Sequence, residues 1–136
     1  MSRSVNQLVG YGFGAVYVLV GLLGFTVSGS HAFAGEHGGL LLGIFAVNGL
    51  HNVVHLLVGA ALIGAAAAGT AVSKAVNTVV GAVYLLVGIV GVAIGSGELN
   101  LLALNAPDHA LHFASAVALM VIGLAADRAR HPAAHV

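Results

Sequence analysis

Four long apolar stretches, near residues 5–27, 48–69, 72–95 and 105–127, constrain this chain more than anything else in it. Each approaches or exceeds the roughly 20 residues an α-helix needs to cross the hydrocarbon of a bilayer. Inside lipid a backbone must satisfy its own N–H and C=O groups, so such stretches fold as helices. The expected fold is therefore all-α, an integral membrane four-helix bundle. Composition agrees, because 60% of the 136 residues are hydrophobic and only 6% charged. About a quarter of a soluble domain is charged. Four basic and four acidic residues cannot cover a water-facing globule of this length.

The balanced charge leaves no basic stripe, and nucleic acid is not an expected partner. With no cysteine there are no disulfides, thiolate metal sites or iron–sulfur clusters. The first span has signal-peptide features, with Arg3 before it and Ala32-Phe33-Ala34 after it. Its apolar run is longer than an ordinary signal core and has a copy further on, so it is expected to be retained as a span. Arg3, Lys74, Arg128 and Arg130 all fall on one side of a four-span chain, while the other two loops carry only Glu36, Glu98 and Asp108. The positive-inside rule assigns both termini to the cytoplasm and the loops 28–40 and 96–104 to the outside.

The chain repeats itself. Gly14-Ala15-Val16-Tyr17-Val18-Leu19-Val20-Gly21 matches Gly81-Ala82-Val83-Tyr84-Leu85-Leu86-Val87-Gly88, and residues 48–55 match 105–112. Residues 1–136 thus read as one transmembrane domain of two helical hairpins, about 5–69 and 72–127, with a tail at 128–136. Two spans per repeat insert both halves in the same direction, which implies a pseudo-two-fold axis along the membrane normal. Gly10, Gly14, Tyr17, Gly21 and Gly24 share one helical face, as do Asn77, Gly81, Tyr84, Gly88 and Gly91. Small residues in such a stripe let backbones approach closely. The alternative use of the stripe is space for a flat ligand. Both tyrosine hydroxyls fall near mid-membrane and need hydrogen-bond partners.

His51 and His55 share a face of the second span, and His109 and His112 share a face of the fourth. Asp108 is the repeat equivalent of His51. Asn48 and Asn105 are expected N-caps, with Asn105 and Asp108 forming a capping box and Pro107 in the first turn. The apolar pieces 40–47 and 99–104 are expected to lie at the interface, covering the outer mouth of the bundle. Counting along the spans sets His55 and His112 at the depth of Gly21 and Gly88. Three readings are open: polar bundle glue, ligation and proton handling. Under ligation, His55 and His112 are axial ligands of one haem. Alternatively, His51, His55, Asp108, His109 and His112 bind Zn, Cu or Fe. His31 and His37 in the first loop, and His131 and His135 in the tail, are expected to be solvated.

No nucleophilic triad, phosphate-binding loop or His-Glu-x-x-His motif occurs, and no span carries a buried Lys or Arg. The chain is not expected to be an enzyme. The segments Asn48-Gly49-Leu50-His51-Asn52-Val53-Val54-His55 and Asn105-Ala106-Pro107-Asp108-His109-Ala110-Leu111-His112 carry a resemblance over about residues 5–127. The chain resembles a domain-of-unknown-function family of small four-helix bacterial membrane proteins, mostly actinobacterial. Gly49 stands where such sequences often have Pro, which affects only the helix start. The resemblance implies a bacterial cytoplasmic membrane location and brings no activity. The function expected is a membrane protein whose outer-leaflet histidine cluster holds a transition metal or haem. The alternative is an accessory subunit that packs its glycine stripe against a larger complex or a second copy.

Overall fold

The computed structural model describes residues 2–128. Arg130, His131 and His135 lie outside the described residues. Four helices run through it: α1 (Val5–Ser28), α2 (Gly49–Ala68), α3 (Thr70–Ile94) and α4 (Ala106–Ala125). All four are long and apolar enough to cross a membrane. Their starts are built locally. Ser4 and Gln7 form a capping box before α1, Asn48 Oδ1 accepts the His51 N–H at 2.9 Å, and Asn105 and Asp108 form the expected capping box before α4. Gly69 joins α2 to α3 by itself at φ +124°, a conformation open to glycine and strained for other residues.

The side chains are distributed for lipid. Large apolar residues such as Leu57, Val79, Leu86 and Val117 are more than 60% exposed on the outer faces, while the interior holds Asn6, Asn52, Ser73, Asn77 and the three histidines described below. In water that arrangement would leave large apolar patches on the surface. In a bilayer it is the stable one, and the chain is a multi-pass membrane protein.

The glycine stripes face inward, within each hairpin. A Cβ on Gly14 would lie 2.8 Å from the Gly59 carbonyl, and one on Gly81 would lie 3.0 Å from the Ala116 carbonyl. Gly21 is covered by Leu56 and Gly88 by Phe113, while Gly24 meets Asn52 and Gly91 meets His109. These contacts make the halves equivalent position by position, so that Gly59 corresponds to Ala116, Leu62 to Leu119 and Val58 to Ser115. They also correct the depth-based pairing of His55 and His112 with Gly21 and Gly88. Leu56 and Phe113 fill those notches, and no slot for a flat ligand remains there.

One end of the bundle gathers Arg3, Lys74 and Arg128 with a polar network. The Asp127 carboxylate accepts the Asn6 N–H at 2.8 Å, the Asn6 side-chain amide at 2.9 Å and the Val5 N–H at 3.2 Å. Asn77 Nδ2 donates to Asn6, and Lys74 Nζ donates to the Ala126 carbonyl. The opposite end is covered by the apolar pieces. Residues 39–47 form an antiparallel hairpin, β1 (Gly39–Leu41) with β2 (Phe45–Val47), turning through Leu42 and Gly43 at positive φ. Residues 99–104 form an irregular turn bridged to Gly35.

A candidate metal centre between α2 and α4

An interval of four residues turns a helix by about 400°, so His51 and His55 project from neighbouring points on one face of α2. That face looks across the bundle at His112 of α4. The ring centroids lie 4.4 Å apart for His51 and His55, 5.9 Å for His51 and His112, and 6.3 Å for His55 and His112. One ring nitrogen from each lies within 4.8 Å of the others. All three residues are buried, none more than 4% exposed. A tetrahedral ion with bonds of 2.0–2.1 Å holds its ligand nitrogens about 3.3 Å apart, so small side-chain rotations would close the set.

The hydrogen bonding around the cluster is incomplete. His51 Nδ1 lies 3.1 Å from the Ala46 carbonyl. A carbonyl only accepts, so this contact favours the tautomer with the proton on Nδ1, in which Nε2 of the neutral ring keeps its lone pair. His51 Nε2, both ring nitrogens of His55 and Nδ1 of His112 are buried without a partner. Such groups are rare in native interiors and call for a physical explanation.

Tyrosines close the site on the side of α1 and α3. Tyr17 lies 5.2 Å from the His55 ring, Tyr84 stacks on His112 at 5.1 Å, and the two phenol rings stack on each other at 5.2 Å. The Tyr17 hydroxyl meets Ser115 Oγ at 2.5 Å, but the Tyr84 hydroxyl has no partner within 3.5 Å and only the Tyr17 hydroxyl near it. A cavity of about 40 Å³ lies among His51, His55, His112, Tyr84, Val58 and Leu102.

Asp108 and His109 stand apart from this group. Asp108 is buried, and its carboxylate is engaged in the capping box through the Asn105 N–H at 2.9 Å. His109, one residue on, points about 100° around the helix. It packs on Gly91, as Asn52 packs on Gly24, and lines a separate recess of about 640 Å³ with Glu36, Ser96 and Asn105. His37 is exposed in the first loop, 3.5 Å from Glu36, and His31 is exposed as well. One participant had no direct signal in the sequence: the Ala46 carbonyl that orients His51 is a backbone group. Tyr84 is flagged there only as a buried hydroxyl in need of a partner, not as a neighbour of the histidines.

No curated protein and no solved structure matches this chain. The family described as Domain of unknown function (DUF4383) matches residues 7–125, from the first turn of α1 to the end of α4, and the chain belongs to that family.

Proposed function

We propose that this is a non-enzymatic membrane protein that binds one divalent transition-metal ion, zinc or copper, through His51, His55 and His112. The observation that carries the reading is the convergence of three buried histidines, each with one ring nitrogen within 4.8 Å of the others, and each with at least one buried ring nitrogen that has no hydrogen-bond partner. The His51 tautomer supports it further. Metal-ligating histidines commonly donate their second ring N–H to a backbone carbonyl, which is the arrangement of His51 with Ala46. Imidazole nitrogen suits zinc and copper, and no thiolate is available to draw softer ions.

Size favours an ion over a tetrapyrrole. A cavity of about 40 Å³ with phenol rings against both His55 and His112 leaves no room for a macrocycle. An outward glycine stripe would have supported the accessory-subunit reading, and the stripe is instead consumed by contacts inside each hairpin. The grouping of Arg3, Lys74 and Arg128 at one end supports cytoplasmic termini in a bacterial inner membrane, with the histidines toward the outer face.

The test is elemental analysis of detergent-purified protein, stripped with a chelator and reloaded with Zn²⁺. One ion per wild-type chain is expected, and none in a His55→Ala, His112→Ala double variant. A folded wild-type protein that takes up no zinc or copper would sink the reading.

A further inference from the structure

Because the two hairpins match position by position, a break in the match at a buried polar group is informative. Tyr17 and Tyr84 are repeat equivalents, stacked at the centre of the bundle. Tyr17 crosses from α1 to α4 and finds the Ser115 hydroxyl. The position of α2 equivalent to Ser115 is Val58, whose side chain has no hydrogen-bonding atom to offer Tyr84. The Tyr84 hydroxyl is therefore left buried with no partner within 3.5 Å and only the Tyr17 hydroxyl near it, on a residue that lines the cavity beside His51, His55 and His112.

Three imidazoles leave one position of a tetrahedral ion open. They are also neutral, so a divalent ion would keep its whole charge in an apolar interior, where uncompensated charge is strongly disfavoured. Among the described residues no carboxylate belongs to the cluster, and Asp108 lies outside it. An exogenous anion would supply the missing charge. A water needs a cavity of at least roughly 10–15 Å³, so about 40 Å³ suits a small species of a few heavy atoms beside the ion.

Resting on the metal reading above, we propose that the fourth coordination position takes a small anion, of the size of hydroxide or azide, and that Tyr84 donates a hydrogen bond to it. Tyr84 is the specificity residue of the site. Its hydroxyl lacks the serine partner that Tyr17 has, because Val58 stands at the equivalent position of the other half.

The experiment uses Co²⁺, which accepts zinc-type ligand sets and reports its coordination through visible bands. Stripped wild-type, Tyr84→Phe and Val58→Ser proteins are loaded with Co²⁺ in detergent and titrated with azide. Val58→Ser gives the Tyr84 hydroxyl a partner in the protein while leaving every proposed ligand untouched. One Co²⁺ per chain is expected in all three, with azide shifting the wild-type bands. Azide affinity is expected to fall roughly tenfold in each variant, as for loss of one hydrogen bond to a charged group. Equal azide affinities in the three proteins, or cobalt-loaded wild type that ignores azide, would overturn this proposal and leave the metal reading standing. A wild-type protein that takes no Co²⁺ would overturn both.

Discussion

Asn48 and Asn105 brace the two hairpins reciprocally. Each caps its own helix through Oδ1, and each sends Nδ2 to the loop of the other half, Asn48 to the Leu101 carbonyl and Asn105 to the Ile44 carbonyl, both at 2.8 Å. Leu101 and Ile44 are themselves repeat equivalents, so the two braces are one interaction used twice. Asn48 also reaches the Gly35 carbonyl at 3.0 Å and is fully buried, whereas Asn105 is half-buried. Asn48→Ala should therefore destabilise the protein by about 2–4 kcal/mol, combining a lost cap with orphaned carbonyls. Asn105→Ala should cost about 1–2 kcal/mol. Thermal unfolding in a single detergent would measure both. Equal effects would mean that the buried bonds of Asn48 contribute nothing beyond its cap.

The histidine cluster predicts opposite stability effects with and without metal. In the metal-free protein His55 holds two buried ring nitrogens with no partner. Replacing such a group by an apolar one of similar size is nearly neutral or stabilising. His55→Leu should melt at or above the temperature of chelator-treated wild type. On adding zinc at a hundred times its dissociation constant, wild type alone should gain about 2.7 kcal/mol. A variant that melts well below the metal-free wild type would identify His55 as ordinary bundle glue.

The spans and caps were legible because lipid and unpaired helix ends impose local demands. A bilayer sets a minimum apolar length, and the first turn of a helix wants an acceptor such as Asn48 or Asn105. Three of the five candidate ligands follow from helical spacing. Asp108 and His109 do not, for separate reasons: the first serves as a cap and the second turns to another face. Counting residues gives depth along a helix but not which neighbour fills a notch, so Leu56 and Phe113 against Gly21 and Gly88 were invisible. The short β1–β2 hairpin is too brief for its alternation to register, and its turn begins at Leu42 instead of a customary Asn or Asp. The Val58–Ser115 mismatch was present in the repeat. It becomes meaningful only once Tyr17 is seen to cross to Ser115.

Glycine substitutions should separate contact from exposure. Gly14→Ala drives a methyl against the Gly59 carbonyl and Ile63, and Gly81→Ala against the Ala116 carbonyl and Met120. Each should destabilise by about 1–3 kcal/mol, as overpacking does. Gly12 and Gly64 lie on helices with open space where a Cβ would go. Gly12→Ala and Gly64→Ala should be neutral, or stabilising by up to about 1 kcal/mol, because Ala is the better helix former. Melting temperatures of the four variants would check this. Loss of stability in Gly12→Ala would reveal a packing partner on the outer face of α1.

The acid end of the stability profile should depend on Asp127. The backbone N–H of Asn6 and then its side-chain amide hold the Asp127 carboxyl below the usual carboxylate range. They do so by hydrogen-bonding the ionised form at the start of α1, where the helix dipole also favours a negative charge. A carboxylate depressed on folding stabilises the protein above its unfolded value, about 3.9. That stabilisation fades as pH falls through the lower folded value. Asp127→Asn should therefore melt below wild type at neutral pH, and the gap should close on acidification. Because Asp127 is only half-buried, the gap should also shrink with added salt. Melting curves of the pair across acid pH, at low and high salt, would measure it. A gap independent of both pH and salt would make the join between α4 and α1 a matter of neutral hydrogen bonding, with the charge of Asp127 playing no part.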